Sequence, residues 1–556
     1  MTAIEDPTRF TGDPDQILAD LLPPDARSIV VADGDDLCRA GDPSDEWWYI
    51  DEGWADVTAD GIFLGNVGTG ETVGEMAALD GRSRTATVTA RGEMRLRVAT
   101  ADELRRALEA SPRSAVALLQ LMSQRLRDVT ERRVASSGQP DDSAPVSTGG
   151  SGGQGIGAPL TFDPMAPGYF DDPTVQLGAI REREAVHLVE TTGAYLLTRY
   201  EHVQPIGRDR RLGNDIAHAL PNPVIDAERE MLARSSTTQS ILRVDGDDHT
   251  RVRRLMQKAF TPKVIAQWRE RAVSVADELL DQLEAQGGGD LIGDYALQLP
   301  VQIISDMLGM PTDDVPRLRQ WSHLLTKTLD PLCTPADREA AIEARLAMDA
   351  YIAGVYDTKR QRPDDGLLSV MIRAEDEGDR LTRDEVLVNT ALLYIAGHET
   401  TTNLIGNGAV ELFGHPEQRA IVENEPDLDA NLIEEVLRYN TPVQFTRRIS
   451  RADIEVDGVT IPAGSVVSLC AAAANRDPRK WGPTADAFDV RRAGANDQVS
   501  FGGGPHFCLG AALARLEGQV ALPRLFRRFP SLQPTEAATF EPRIVLRGVG
   551  HLPVTI

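Results

Sequence analysis

Four stretches in the second half of the sequence carry residue types that can do chemistry. The first is Phe501-Gly-Gly-Gly-Pro-His506-Phe507-Cys508-Leu509-Gly510. A lone cysteine is most often an inert core residue. Here three glycines and a proline precede it, a loop whose backbone can approach a large flat ligand. A helix is predicted from Ala511, which puts the sulfur near a helix N-terminus, where amides and dipole favour a thiolate. The second, Ala396-Gly-His-Glu399-Thr400-Thr401, sets a carboxylate and a hydroxyl inside an apolar helical stretch, which is costly without a purpose. Its bland reading has Thr400 bonding back to the Ala396 carbonyl and bending the helix. In the third, Glu435 and Arg438 are three apart, share a helix face and can pair. In the fourth, His249 and Arg253 are four apart on a basic run with Arg251, Arg254 and Lys258, either a solvated face or an anion site.

Taken in order, these stretches resemble the cytochrome P450 superfamily of soluble bacterial type, over essentially all of residues 159–556. The aromatic-Gly-x-Gly-x-His-x-Cys-x-Gly loop beginning at Phe501 is a specific signature of that family, and chance agreement on four ordered motifs is negligible. The resemblance implies haem b, with Cys508 as the iron ligand, and an axial thiolate that favours O–O cleavage. It gives Thr400 a hydrogen bond to the activated dioxygen and makes Glu399 a proton relay. His249, Arg253, Arg448 (five residues before Asp453) and His506 match the anchors of the haem propionates. Glu435 and Arg438 become a structural pair beneath the haem, with Arg492 as its third member and Arg491 the alternative. Arg251, Arg254 and Lys258 would then form a proximal patch that meets an acidic ferredoxin. The chain has no flavin or nicotinamide fingerprint and no ferredoxin-spaced cysteine set, so ferredoxin and ferredoxin reductase are expected as separate proteins.

An earlier stretch, Gly74-Glu75-Met-Ala-Ala-Leu-Asp-Gly-Arg-Ser-Arg84-Thr85-Ala-Thr-Val88, resembles the phosphate-binding cassette of cyclic-nucleotide-binding domains, as in catabolite activator proteins. A short helix starting near Gly74 would offer amides to a phosphate. The resemblance implies that Arg84 neutralises the cyclic phosphate of cAMP or cGMP, Glu75 accepts from the ribose hydroxyl and Thr85 adds a hydroxyl. Many such barrels bind no nucleotide and serve in docking or dimerisation, so a second copy or a partner protein is the other occupant. The helix-turn-helix that would make a transcription factor is absent from the sequence.

The elements that must position these residues fall into two domains. Residues 1–135 read as a small β-barrel or jelly roll with flanking helices, with strands at Trp47–Ile50, Trp54–Val57, Ile62–Leu64, Thr85–Ala90 and Met94–Val98. Turn signals stand at Asp33-Gly34, Asp60-Gly61 and Asp80-Gly81. A helix over residues 112–133 follows, capped by Ser111 with Pro112 at its first position. Residues 136–158, Gly- and Ser-rich and without aromatics, read as a flexible tether spanning roughly 25 Å. Residues 159–556 read as mainly helical with small sheets. One long helix runs from a capping box at Thr382 and Glu385 to about Gly414, another covers Asp429–Tyr439, and a hairpin turns at Asp457-Gly458.

Composition bounds the rest. The 556 residues carry 58 basic and 85 acidic side chains, a net charge of −27, which argues against a nucleic-acid or anionic-membrane binder. Four scattered cysteines exclude a disulfide framework, the N-terminus lacks a signal-peptide pattern, and no apolar run is long enough to span a membrane. A cytoplasmic protein is expected. Its function would be to insert one oxygen atom from dioxygen into a small apolar substrate, with the N-terminal domain regulating or docking. The alternative is a non-catalytic haem or ligand-binding regulatory protein.

Overall fold

The computed structural model describes residues 22–110 and 161–556, except 24–25, 33, 43–44, 60–61, 70–71, 76–77, 79–82, 85, 167, 236–237, 312–313, 332 and 377–380. Contacts divide the chain into two units, Met1–Gly155 and Ile156–Ile556. The tether at 136–158, the helix at 112–133 and the turns at Asp60-Gly61 and Asp80-Gly81 lie outside the described residues.

The first unit is a curled antiparallel sheet, a half-barrel, of β1 (Arg27–Val31), β2 (Asp36–Cys38), β3 (Glu46–Ala59), β4 (Ile62–Gly68), β5 (Thr72–Val73) and β6 (Thr87–Thr100). Its order is β1-β6-β3-β4, with β2 on β6 and β5 on β3. Val88, Ala90, Met94, Leu96 and Val98 of β6 alternate inward against Trp48 and Ile50 of β3, the period-two pattern that one buried face requires. The sequence suggests two strands where each of β3 and β6 is one. Gly53 and Gly92 sit at φ +99° and +84°, and beside Gly53 the register of β3 shifts. A bulge there kinks the strand without ending it. Helix α1 (Ala101–Ala110) follows β6 directly, and Thr100 and Glu103 cap it reciprocally.

The second unit is mostly helical. The elements that bear on its site are strands β7 (Val186–Val189), β8 (Ala194–Leu197) and β9 (Leu212–Gly213), then helices α2 (Pro223–Ser235), α3 (Gly246–Met256), α4 (Arg269–Gln286), α5 (Gln298–Leu308), α6 (Pro335–Gln361), α7 (Arg383–Gly414) and α8 (Asp429–Tyr439), then strands β10 (Phe445–Ser450), β11 (Ile454–Val456), β12 (Val459–Ile461) and β13 (Val466–Cys470), and finally α9 (Ala511–Arg528). Strands β7-β8-β13-β10-β9 form a five-stranded sheet in that order. The capping box starts α7 at Thr382 as the sequence suggests. The hairpin β11–β12 turns through Asp457 and Gly458, both at positive φ, as a tight two-residue loop demands.

The core runs along α7, with Leu404, Ile405 and Leu412 buried against Val436 of α8 and Val520 and Leu522 of α9. Helix α7 approaches α5 closely because Gly397 has no side chain; a Cβ there would lie 2.8 Å from Ile304 Cγ1. No described helix is long and apolar enough to cross a membrane.

One ionic cluster is fully enclosed. Arg438 is 0% exposed, and its guanidinium grips Glu435 through Nε (2.7 Å) and Nη2 (2.8 Å). Its remaining donors reach the carbonyls of Asn475, Ala485 and Ala487. Arg492 Nε adds a bond to Glu435 Oε1 (3.2 Å), whereas Arg491 lies at the surface on Glu425. These bonds fasten α8 to the segment at 475–492.

Candidate functional site

A cavity of about 1200 Å³ opens between α7, α3, β10 and the loop before α9. Cys508 lines it and is exposed. Burial among surrounding atoms pushes its thiol up, against the pull of the Gly510 and Ala511 amides and of Arg253 and Arg515. The helix terminus alone therefore does not produce the thiolate that its position suggests; a coordinated metal would.

The glycines before Cys508 divide their work. Gly502 and Gly510 line the cavity, and beside Gly510 nothing stands within 4 Å of where a Cβ would be. Gly503 and Gly504 instead press on the Gly207–Arg208 chain, where a Cβ on Gly504 would lie 3.0 Å from Arg208 Cα. Of the three glycines before Cys508, two thus serve a chain crossing and only Gly502 lines the cavity. The Cys508 amide donates to the Phe501 carbonyl (3.0 Å), closing the loop.

His249, Arg253, Arg448, Phe501 and His506 all line the same cavity. Arg253 Nη2 donates to the Phe507 carbonyl (2.7 Å), and Arg448 Nη1 donates to Asn214 Oδ1 (3.3 Å) and the Arg447 carbonyl (2.8 Å). The rings of His249 and His506 lie 4.3 Å apart. His249 Nε2 is buried without a hydrogen-bond partner among the described residues. Burial first, then His506 and Arg253, pushes His249 down to about 4. His506 Nε2 meets Asp245 Oδ1 at 2.7 Å.

Asp245 is a member of this group that the sequence reading misses. It precedes α3 yet gives that helix no side-chain cap. Its carboxylate accepts from the Asn214 and Asp215 amides and from Arg451. The His506 bond first, then the Asp215 and Asn214 amides, outweigh burial and hold it far below the usual carboxylate range. The one available signal was an acid four residues before His249.

Thr400 lines the cavity from α7, with Oγ1 donating to the Ala396 carbonyl (3.0 Å). Glu399 does not line it; its carboxylate faces His398 Nε2 at 3.7 Å and is 14% exposed. Burial raises Glu399, but the His398 ring, then Arg543 and His323, bring it below the ordinary value. His398 is fully buried and its Nδ1–H donates to the Tyr394 carbonyl (2.7 Å). A carbonyl only accepts, so in the neutral ring Nε2 carries the lone pair that faces Glu399. Behind α7, Glu517 of α9 is fully buried and neither carboxyl oxygen finds a partner among the described residues. Burial pushes it up to about 8, against the pull of Thr401. The sequence names His398 only as a member of the 396–401 motif, without a role, and gives no signal for Glu517.

Of the proposed proximal patch, Arg254 and Lys258 are exposed, but Arg251 is not available. It is held by Glu385 (2.6 Å) and Asp248 (3.0 Å).

Residues 214–548 match the cytochrome P450 family model, more than half of the chain. The chain belongs to the cytochrome P450 family. Residues 29–111 match the cyclic nucleotide-binding domain model. Among similar proteins, the vitamin D(3) 25-hydroxylase of Pseudonocardia autotrophica is 39% identical over 395 residues, covering 70% of this chain and 94% of the relative. The polyketide biosynthesis cytochrome P450 PksS of Bacillus subtilis is 32% identical over 407 residues, covering 71% of this chain and 99% of that one. The crystal structure of a myxobacterial cytochrome P450, CYP267B1, in complex with myristic acid superposes with a TM-score of 0.65 at 33% identity, covering 70% and 98% of the two chains. This P450 is therefore an oxidoreductase of the monooxygenase class, and its family implies haem iron. The residues present fit that group. A sulfur, a partnerless buried imidazole nitrogen and two arginines held largely by carbonyls all border one cavity.

In the cyclic-nucleotide-binding domain, Arg84 is 6% exposed and turned inward. Its Nη1 donates to the Gly74 carbonyl (3.0 Å) and Nη2 to the Glu46 carbonyl (2.6 Å), with the guanidinium 4.4 Å from the Trp48 ring centre. Gly74, at φ +84°, has no room for a side chain because Arg84 fills the space. The Ala78 amide donates to the Gly74 carbonyl, so one helical turn starts there. Glu75 is buried; Thr85 lies outside the described residues.

Proposed function

We propose that this P450 inserts one atom of dioxygen into an apolar substrate, with Cys508 as the haem ligand and Thr400 and Glu399 managing protons. The observation that carries the reading is the convergence of Cys508, Thr400, His249, Arg253, Arg448 and His506 on one cavity. When bound, haem iron held by the Cys508 sulfur would supply dioxygen cleavage. Arg253 and Arg448, with the His249 and His506 rings as hydrogen-bonding groups, would hold the propionates, and Phe501 backs the cysteine loop. The Thr400 hydroxyl, released from the Ala396 carbonyl, donates into the cavity. The Glu399 carboxylate, with His398 Nε2 3.7 Å from it, is the group beside Thr400 that would relay the proton. Glu435, Arg438 and Arg492 shape the fold beneath and touch no substrate. Separate ferredoxin and ferredoxin reductase bring electrons, with Arg254 and Lys258 on the docking face, and the protein works in the cytoplasm. The lipophilic molecules named with its relatives support an apolar substrate.

Thr400→Ala is expected to leave dioxygen consumption in place while product per dioxygen falls roughly tenfold or more, the scale of a lost positioned proton donor. Oxygen uptake against product with a generic ferredoxin pair measures this, and unchanged coupling removes Thr400 from the mechanism.

We further propose that the domain at 1–135, tethered through 136–158 to the enzyme at 159–556, binds cAMP or cGMP through Gly74, Glu75, Arg84 and Thr85. Arg84 has five N–H donors and would redirect some from the carbonyls to phosphate. Calorimetry should give binding heat with at least one nucleotide for the native chain and none for Arg84→Ala. No heat with the native chain leaves docking or dimerisation, the reading favoured by the inward turn of Arg84.

A further inference from the structure

One stretch of the cavity wall is charged where an apolar substrate needs no charge. Glu228 of α2, Arg243 in the turn before α3, and Arg447 of β10 all line the cavity. Their side chains are 10%, 17% and 30% exposed. Both arginines pair with the single carboxylate: Arg243 with Oε1, and Arg447 through both Nη atoms, Nη2 at 3.2 Å. Arg345 of α6 donates through Nε to both carboxylate oxygens of Asp349 (2.9 and 2.8 Å) and lies near enough to repel Arg243. Three guanidinium groups thus share two carboxylates.

A structural clasp between α2 and β10 would need one arginine for one acid. A partly buried surplus cation is costly and calls for a counter-charge. Burial first, then repulsion from Arg447 and Arg345, pushes Arg243 down to about 9, and burial pushes Arg447 down to about 10, so both would gain from a further anion. Arginine's planar fork suits a carboxylate in particular. Ile225, Met231, Ile241, Leu392 and Val443 supply apolar wall to the same cavity, and Asp330 and Arg338 line another part of it.

We infer that Arg243 and Arg447 bind the carboxylate of an otherwise apolar substrate, with Glu228 as the internal anion that holds them when none is present. The inference rests on the haem-thiolate reading above and names the substrate class within it. Arg447 adjoins the proposed propionate anchor Arg448, so the test separates the two roles.

The full-length holoenzyme is titrated with dodecanoate and with dodecanol, and with shorter and longer matched pairs, following the Soret shift. The acid should bind roughly tenfold to a hundredfold tighter than its alcohol, the value of charge-assisted hydrogen bonds. Arg243→Gln and Arg447→Gln should each erase most of that ratio, and Glu228→Gln should raise acid affinity by removing the competitor. Haem per chain should be unchanged in all three. No preference for the acid at any chain length, or a preference that survives both arginine substitutions, overturns the inference. Loss of haem from Arg447→Gln does so too, by making Arg447 a propionate anchor. Carbon-monoxide spectra of the same preparations keep the readings apart: a thiolate band without acid preference sinks only this inference, and absence of that band sinks the haem assignment beneath it.

Discussion

Reduced and exposed to carbon monoxide, the native protein is expected to show the red-shifted Soret band of a thiolate-ligated haem, and Cys508→His the band of a histidine-ligated one. The argument is one of location. Of the four cysteines, Cys38 and Cys470 are buried in apolar surroundings and Cys333 lies on another part of the cavity wall. Cys508 alone adjoins the anchor group, through Arg253 on the Phe507 carbonyl and His506 two residues earlier. Protein alone raises its thiol, so its ionisation and the metal bond must come together. Cys508→Ala should retain fold and lose the band entirely. A native spectrum of the histidine type, or a thiolate band surviving in Cys508→Ala, removes the assignment.

The largest stability effect is expected at Glu435. Glu435→Ala would leave Arg438, 0% exposed, and Arg492, 8% exposed, without the anion they share. Breaking a buried pair from one side costs about 3–5 kcal/mol, a large part of the 5–15 kcal/mol typical of a folded domain. The substitution also strips the Asp489 amide of its acceptor. Helical ellipticity in urea should show the loss, with Glu435→Gln in between because its amide oxygen still accepts. A cost under about 1 kcal/mol for the alanine variant would mean that the carbonyls of Asn475, Ala485 and Ala487 hold Arg438 by themselves.

What could be read in the sequence was what local chemistry specifies. Thr382 and Glu385 announce α7, and Asp457-Gly458 announces a hairpin. The anchors His249, Arg253, Arg448 and His506 were legible only through their place in the family's motifs. Thr100 and Glu103 gave the same kind of signal for α1, yet the reading passed over it for a helix further along. The chemistry at Asp245 was not legible, because an acid before a helix reads as a cap and only the fold turns it towards His506. His398 and Glu517 were hidden likewise: their importance is burial without full pairing, a tertiary property. Glu228 and Arg447 stand 219 residues apart, and nothing local joins them.

The contacts that shape the Cys508 loop also carry a consequence for timing. The loop is held by Arg253 across 254 residues and by Asp245 across 261, and its Gly503 and Gly504 rest on the Gly207–Arg208 chain. Contacts of such long separation form only after the intervening chain has been closed up, at an entropic cost. A chain in which residues 207, 245 and 253 have not yet met the loop therefore has a ligand whose loop is not set. Cofactor capture therefore belongs late in the folding of this domain, after its most distant contacts have closed.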